Sequence, residues 1–278
     1  MRQLLCCNAG RSIPQGERLQ VVYISLYGHW HCTPFSARLR TKGVKMDTAY
    51  VPGAILEVIV MSAADAVAAE RGGADRLEVV SAIEVGGLTP SLDVFTAIRA
   101  ATRLPLRVML RPNGGYGIGA AELTALCVEA ALLRQAGAES FVCGFLTGAG
   151  AIDRAAMDAV LTAIGPCPWT FHRAFDHATS TQAAWATVAE LGADLILSSG
   201  TATDLPAGLP ALCARAGWQT DALRWLVGGG LTLEQIPSFR AAGIAQFHAG
   251  RAVRVGGRWD EPIDEEAVRV MRRAVVGG

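Results

Sequence analysis

From Ala54 onward the chain is built from eight short apolar runs, most of them ending in a polar or glycine-rich turn. Glu57 lies in the first run, Glu78 ends the second and Arg111 ends the third. His172-Arg173 end the fifth, Ser198-Ser199-Gly200 the sixth, Gly228-Gly229-Gly230 the seventh and His248 the eighth. Amphipathic stretches of helical period separate the runs. Strands alternating with helices, with polar residues gathered after the strands, predict an α/β fold: a closed TIM (β/α)8 barrel with one chemically active face.

The strands are expected at Ala54–Val60, Arg76–Val80, Leu106–Leu110, Ser140–Cys143, Trp169–His172, Leu195–Leu197, Leu223–Val227 and Ala245–His248. The first helix should begin near Ser62 and end at Gly72-Gly73. Ser91 or Thr89 can cap the second, with Leu92, Phe95 and Ile98 along its buried side. Further helices are expected over Ala120–Gln135, Asp153–Ala163, Thr181–Leu191 and Leu209–Arg215. Another should run from a Thr232 cap to just before Gly243, and the last from Pro262 toward Val275. Nothing reads as a linker within this stretch. Residues 47–278 are therefore expected to form one barrel domain, for which an apolar fraction of 51% supplies an ample core.

Residues 1–46 read differently. They show no sustained period and hold seven basic residues against the single acid Glu17, leaving a barrel with 18 basic and 24 acidic residues. An acidic barrel has no electrostatic footprint for nucleic acid. The apolar stretch Leu19–Tyr27 is too short to span a bilayer. The leader is expected to be a disordered extension or a mistaken translation upstream of a true start at Met46, and the protein to be cytoplasmic. Its Cys6, Cys7, His29, His31 and Cys32 hold the densest group of metal-capable side chains, whereas Cys127, Cys143, Cys167 and Cys213 read as buried thiols without a CxxC pair.

Strand alternation selects the residues that enter the barrel. Phe171 and Phe175 belong against the helices, so Thr170 and His172 point inward; the same count turns Glu57, Glu78, Arg111 and His248 inward. Together with Arg173 these are the candidate catalytic residues, expected to converge at the C-terminal mouth. One glutamate and one histidine would divide general acid and base, and Arg111 or Arg173 would hold a carboxylate or phosphate. Ser199, Gly200, Gly229 and Gly230, with Arg251 and Arg254 beyond strand eight, are the candidate anion subsite. No lysine follows Lys45, which excludes a Schiff-base mechanism for the barrel, and Walker-type loops and cysteine-based zinc motifs are absent. No resident metal site is read from the barrel sequence.

Several strings occur in order and carry a family resemblance: Asp75-Arg76-Leu-Glu78, Gly86-Gly-Leu-Thr-Pro-Ser91, Arg111-Pro112 with Gly114-Gly115, Thr170-Phe-His-Arg-Ala-Phe-Asp176, Ser199-Gly200 and Phe247-His248. From about Ile55 onward the sequence resembles the CutC family. The resemblance implies a TIM barrel, a cytosolic homo-oligomer and a role labelled copper homeostasis, with copper as the ion bound. Where relatives often carry paired cysteines after the first-strand glutamate, this chain has Ile59 and Val60, followed by Met61. Two functions stay open: a copper-handling protein, or a barrel lyase, isomerase or hydrolase using Glu/His chemistry on a small anionic or sugar-like metabolite. Protein starting at Met46 is expected to melt at the same temperature as the full chain, and a loss of several degrees would show that the leader packs as structure.

Overall fold

In a computed structural model, which describes residues 53–277, eight parallel strands pair in sequence order and close on themselves. They are β1 (Ile55–Val60), β2 (Arg76–Val79), β3 (Leu106–Met109), β4 (Phe141–Cys143), β5 (Trp169–Phe171), β6 (Leu195–Ser198), β7 (Arg224–Val227) and β8 (Gln246–Ala249). The intervening helices are α1 (Ala63–Gly72), α2 (Leu92–Ala101), α3 (Ala120–Gln135), α4 (Arg154–Ile164), α5 (Thr181–Glu190), α6 (Leu205–Arg215), α7 (Ile236–Ala241) and α8 (Glu265–Val276). This is the TIM barrel. The leader, with its cysteine and histidine group, lies outside the described residues, which belong to one compact unit. Among them no helix is long and apolar enough to cross a membrane.

Local chemistry sets the helix ends. Ser62 and Ser91 cap α1 and α2 by accepting N–H bonds from Asp65 and Val94. Phe95 and Ile98 of α2 are fully buried, but Leu92, expected on the same stripe, is exposed. The last helix begins at Glu265 rather than Pro262, because Asp264 caps it while Pro262 accepts a bond from Val255 N–H. Before α7 a short 3-10 turn spans Leu233–Gln235, and the Gln235 side chain accepts the Thr232 N–H.

Helix α6 starts four residues earlier than its sequence suggests. Pro206 is accommodated there because proline in a first turn lacks only an N–H that would have no helical partner. Asp204 caps this end, accepting from Ala207 N–H at 3.0 Å. Gly208 is required by closeness: a Cβ there would lie 1.7 Å from the Ser199 carbonyl oxygen. The helix thus presses its backbone against the turn after β6.

Strand alternation divides the core. Leu56, Val58, Val60, Leu77, Val79 and Phe171 face outward into the layer beneath the helices. Inside, Arg107 closes the N-terminal end, donating to Thr170 Oγ1 at 2.6 Å and pairing with Asp194. Nearer the C-terminal end, Ile59, Val80, Met109 and Val142 form an interior apolar layer, with Met61, Ile83 and Trp259 packed on it. Polar groups entering the barrel are therefore held between these ends.

Candidate active site

The register places Glu57 of β1 beside Arg76 of β2 on one side and His248 of β8 on the other. Arg76 Nε donates to Glu57 Oε2, and Arg76 Nη2 donates to Gln246 Oε1 at 3.1 Å. His248 Nδ1 lies 2.8 Å from Glu57 Oε1, so both carboxylate oxygens are engaged. Glu78 completes the group: its Oε2 lies 3.6 Å from His248 Nε2, and its buried Oε1 has no partner among the described residues. Two residues further along their strands stand Ile59 and Val80 of the apolar layer. Glu57, Glu78 and His248 thus occupy the barrel interior below that layer, rather than its rim.

Burial alone would raise the Glu57 pKa, but the Arg76 guanidinium and the His248 bond hold it well below the usual carboxylate range. Glu78 has no such bond. Burial pushes its pKa from the ordinary 4.5 up to about 7, the attraction of His248 only partly opposing this. Burial works against the charged form of His248, yet Glu78 and the Glu57 bond raise its pKa above 6.5. Both upward shifts express one fact: the Glu78–His248 pair retains a proton to higher pH than isolated groups would.

The other expected residues stand apart from this group. Arg111 donates to four carbonyl oxygens, those of Val85 and Gly87 in the turn after β2 and of Gly114 and Gly115 after β3. It fastens two loops together, so the expected paired hydrogen bonds to a ligand have few donors left. His172 follows β5, its Nδ1 accepting from Ala174 N–H at 3.2 Å. That fixes the ring proton on Nε2, which is buried without a partner. Burial and the nearby Arg111 charge depress its pKa to about 3. His172 is therefore a neutral donor near neutral pH.

The anion subsite expected after strands six and seven is already in part occupied by a carboxylate of the chain. Asp176 Oδ1 accepts from Ser198 Oγ, and its Oδ2 accepts from Ser199 N–H at 2.8 Å and Ser199 Oγ at 2.9 Å. Gly200 packs on the backbone of Gly208. Arg254 is buried and paired with Asp65 at 2.7 Å, while Arg251 is exposed and makes no contact with Gly229 or Gly230. Arg173 reaches this region instead, donating to Ser199 Oγ at 2.8 Å and lying over Gly229. Sequence reasoning passed over Arg76, although it shares strand parity with Glu78, and Asp176, although it stands in a quoted string.

The family model described as CutC family matches residues 54–253. The chain belongs to the CutC family. A Klebsiella pneumoniae (strain 342) CutC is 35% identical over 208 residues, covering 74% of this chain and 81% of that relative. A Salmonella paratyphi B CutC is also 35% identical, over 72% of this chain and 81% of its own. The crystal structure of a CutC from Streptococcus agalactiae, named for copper homeostasis, superposes with a TM-score of 0.67 at 24% identity, over 71% of this chain and 98% of that one. A 3-hexulose-6-phosphate synthase shares the fold at a TM-score of 0.51 and 20% identity, over 79% of this chain and 99% of its own.

The donors of this interior group do not fit Cu(I), which selects thiolate and thioether ligands. Glu57, Glu78 and His248 offer atoms within 4.8 Å of one another, all oxygen or nitrogen, beside the positive Arg76. Cys143 lies in the outer core, where burial pushes its thiol pKa upward. The raised pKa of Glu78 has a measurable sign. Because folding raises the Glu78 pKa, its stabilising contribution is full below the unfolded value of 4.5 and is lost as pH rises through about 7. Relative to wild type, Glu78→Gln should flatten the fall in melting temperature between about pH 5 and pH 8, an effect on the order of a few kcal/mol. Parallel melting curves for the two proteins across that range would contradict the assignment.

Proposed function

We propose that this CutC-family chain is a barrel enzyme that moves a proton on a small metabolite, with Glu78 and His248 as the acid–base pair. One observation carries the reading: the hydrogen-bonded line from Arg76 through Glu57 to His248, facing a carboxyl group with an unpartnered oxygen. Glu57 stays charged and orients the imidazole through Nδ1, as a carboxylate does in other histidine-based sites. His248 Nε2 is then directed at Glu78. Their separation of 3.6 Å exceeds hydrogen-bond reach, so the two proton holders face each other without a bond between them.

A carboxyl group that titrates at about 7 can donate or accept a proton near neutrality. Such a pair suits a lyase, isomerase or hydrolase step in which a proton leaves one atom of the substrate and another arrives nearby. The neutral Nε2–H of His172 supplies a hydrogen bond rather than a titrating group. For copper handling, which the family label suggests, the described residues offer one group of three clustered His, Cys, Asp or Glu side chains, Glu57, Glu78 and His248, and it contains no cysteine. We place this chain in the cytoplasm, acting on a dissolved metabolite, and infer self-association from the family resemblance.

Incubation of the full chain with a metabolite mixture, followed by mass spectrometry, should reveal a compound consumed by wild type and consumed at least about 100-fold more slowly by Glu78→Gln. Equal consumption by the two proteins would remove Glu78 from the chemistry. Competition titration with Cu(I) separates the alternative. Any tight binding by the full chain should vanish when residues 1–45, which contain Cys6, Cys7 and Cys32, are removed. Undiminished binding by the remaining chain would favour copper handling by the barrel.

A further inference from the structure

The turn after β7 has donors that nothing in the fold uses. Gly228 still belongs to the sheet, its N–H bonding to the Ser198 carbonyl at 3.1 Å. Beyond it, the N–H groups of Gly229, Gly230 and Leu231 have no acceptor among the described residues. Gly229 and Gly230 adopt φ values of +92° and +105°, which side-chain-bearing residues rarely tolerate. Gly229 and Gly230 therefore carry consecutive N–H groups on residues with no side chain of their own.

A guanidinium lies on the same spot. A Cβ at Gly229 would sit 3.2 Å from both Cζ and Nε of Arg173 and 2.9 Å from Ser199 Cβ. Arg173 is fixed there by bonds from Nε to Asp176 and from Nη2 to Ser199 Oγ and the Thr203 carbonyl. Its Nη1 has no partner among these residues, and its side chain is 29% exposed. Both oxygens of Asp176 are engaged, Oδ1 by Ser198 Oγ and Oδ2 by Ser199 N–H, Ser199 Oγ and Arg173 Nε. It positions the arginine and leaves one edge of the guanidinium unused.

We propose that Arg173 Nη1 and the Gly229–Leu231 N–H groups bind the phosphate group of a small phosphate ester. One cationic edge beside successive backbone donors suits the three terminal oxygens of a phosphate monoester better than the two of a carboxylate. The location also connects with the interior pair. A Cβ on Gly228 would come within 2.9 Å of His248 Cδ2, so the residue before the anion site borders the imidazole. Adjacent Cα atoms are about 3.8 Å apart, which puts a phosphate held at Gly229 within a few bonds of an atom at His248. The inference rests on the acid–base reading and adds a substrate class to it.

The test is titration of the full chain, labelled with 15N-glycine, with inorganic phosphate at constant ionic strength. Saturable shifts are expected at the Gly229 and Gly230 amides, with acetate giving much weaker ones. Arg173→Met should weaken phosphate binding by about tenfold or more, as loss of a charged hydrogen bond does. If that variant misfolds, phenylglyoxal modification of wild-type Arg173 replaces it, and phosphate should slow that reaction but leave exposed Arg251 unaffected. Absence of saturable shifts, or unprotected Arg173, would overturn the site. Failure here alongside a Glu78-dependent activity removes only the phosphate site. Phosphate binding with no loss of turnover in Glu78→Gln removes the acid–base reading and leaves the anion site standing.

Discussion

The interior of this barrel is organised around one carboxylate that cannot be neutralised without loss. Glu57 is fully buried, and its charge survives there because Arg76 and His248 bond to its two oxygens from neighbouring strands. Removing one partner of a buried charged pair typically costs about 3–5 kcal/mol, because the other is left uncompensated. Strands β8, β1 and β2 meet at that carboxylate, so a buried charged network spans the seam where the first and last strands join. Glu78, one strand away and without a bond of its own, inherits the electrostatic consequences.

The two ends of the interior differ in kind. Arg107 and Asp194 close the N-terminal end with a fixed ion pair. The C-terminal side instead mixes an apolar layer with turns that lack side chains, at Gly228 through Gly230 and at Gly250. Trp259 fills the space where a side chain at Gly250 would stand, covering the β1–β8 side. Beside it, the wall between β6 and β8 is kept thin by Gly228. Charge is thus fixed at one end, while at the other side chains pack directly on glycine backbone.

Period and parity made the eight strands, most helices and the inward direction of Glu57, Glu78 and His248 legible in the sequence. Depth was not. Parity says which way a side chain points, but the height of Glu57 depends on strand register, which only the pairing with Arg76 and His248 reveals. The partners of the arginines were also hidden, since a guanidinium gives no sign in sequence of whether it will meet a ligand or a carbonyl. Arg111 and Arg173 looked alike and diverged completely. The role of Gly208 was equally hidden, since nothing in sequence announces that α6 will press on the Ser199 backbone there.

Arg111 binds four carbonyls drawn from two separate turns, so its guanidinium acts as a non-covalent staple. Neither turn can swing outward without surrendering bonds that also secure the other. Breathing of the β2–α2 and β3–α3 loops is therefore a single cooperative event, with the amides of both exchanging with solvent together. One flank of the mouth, formed by the turns after β2 and β3, is thus tied together through a single buried side chain.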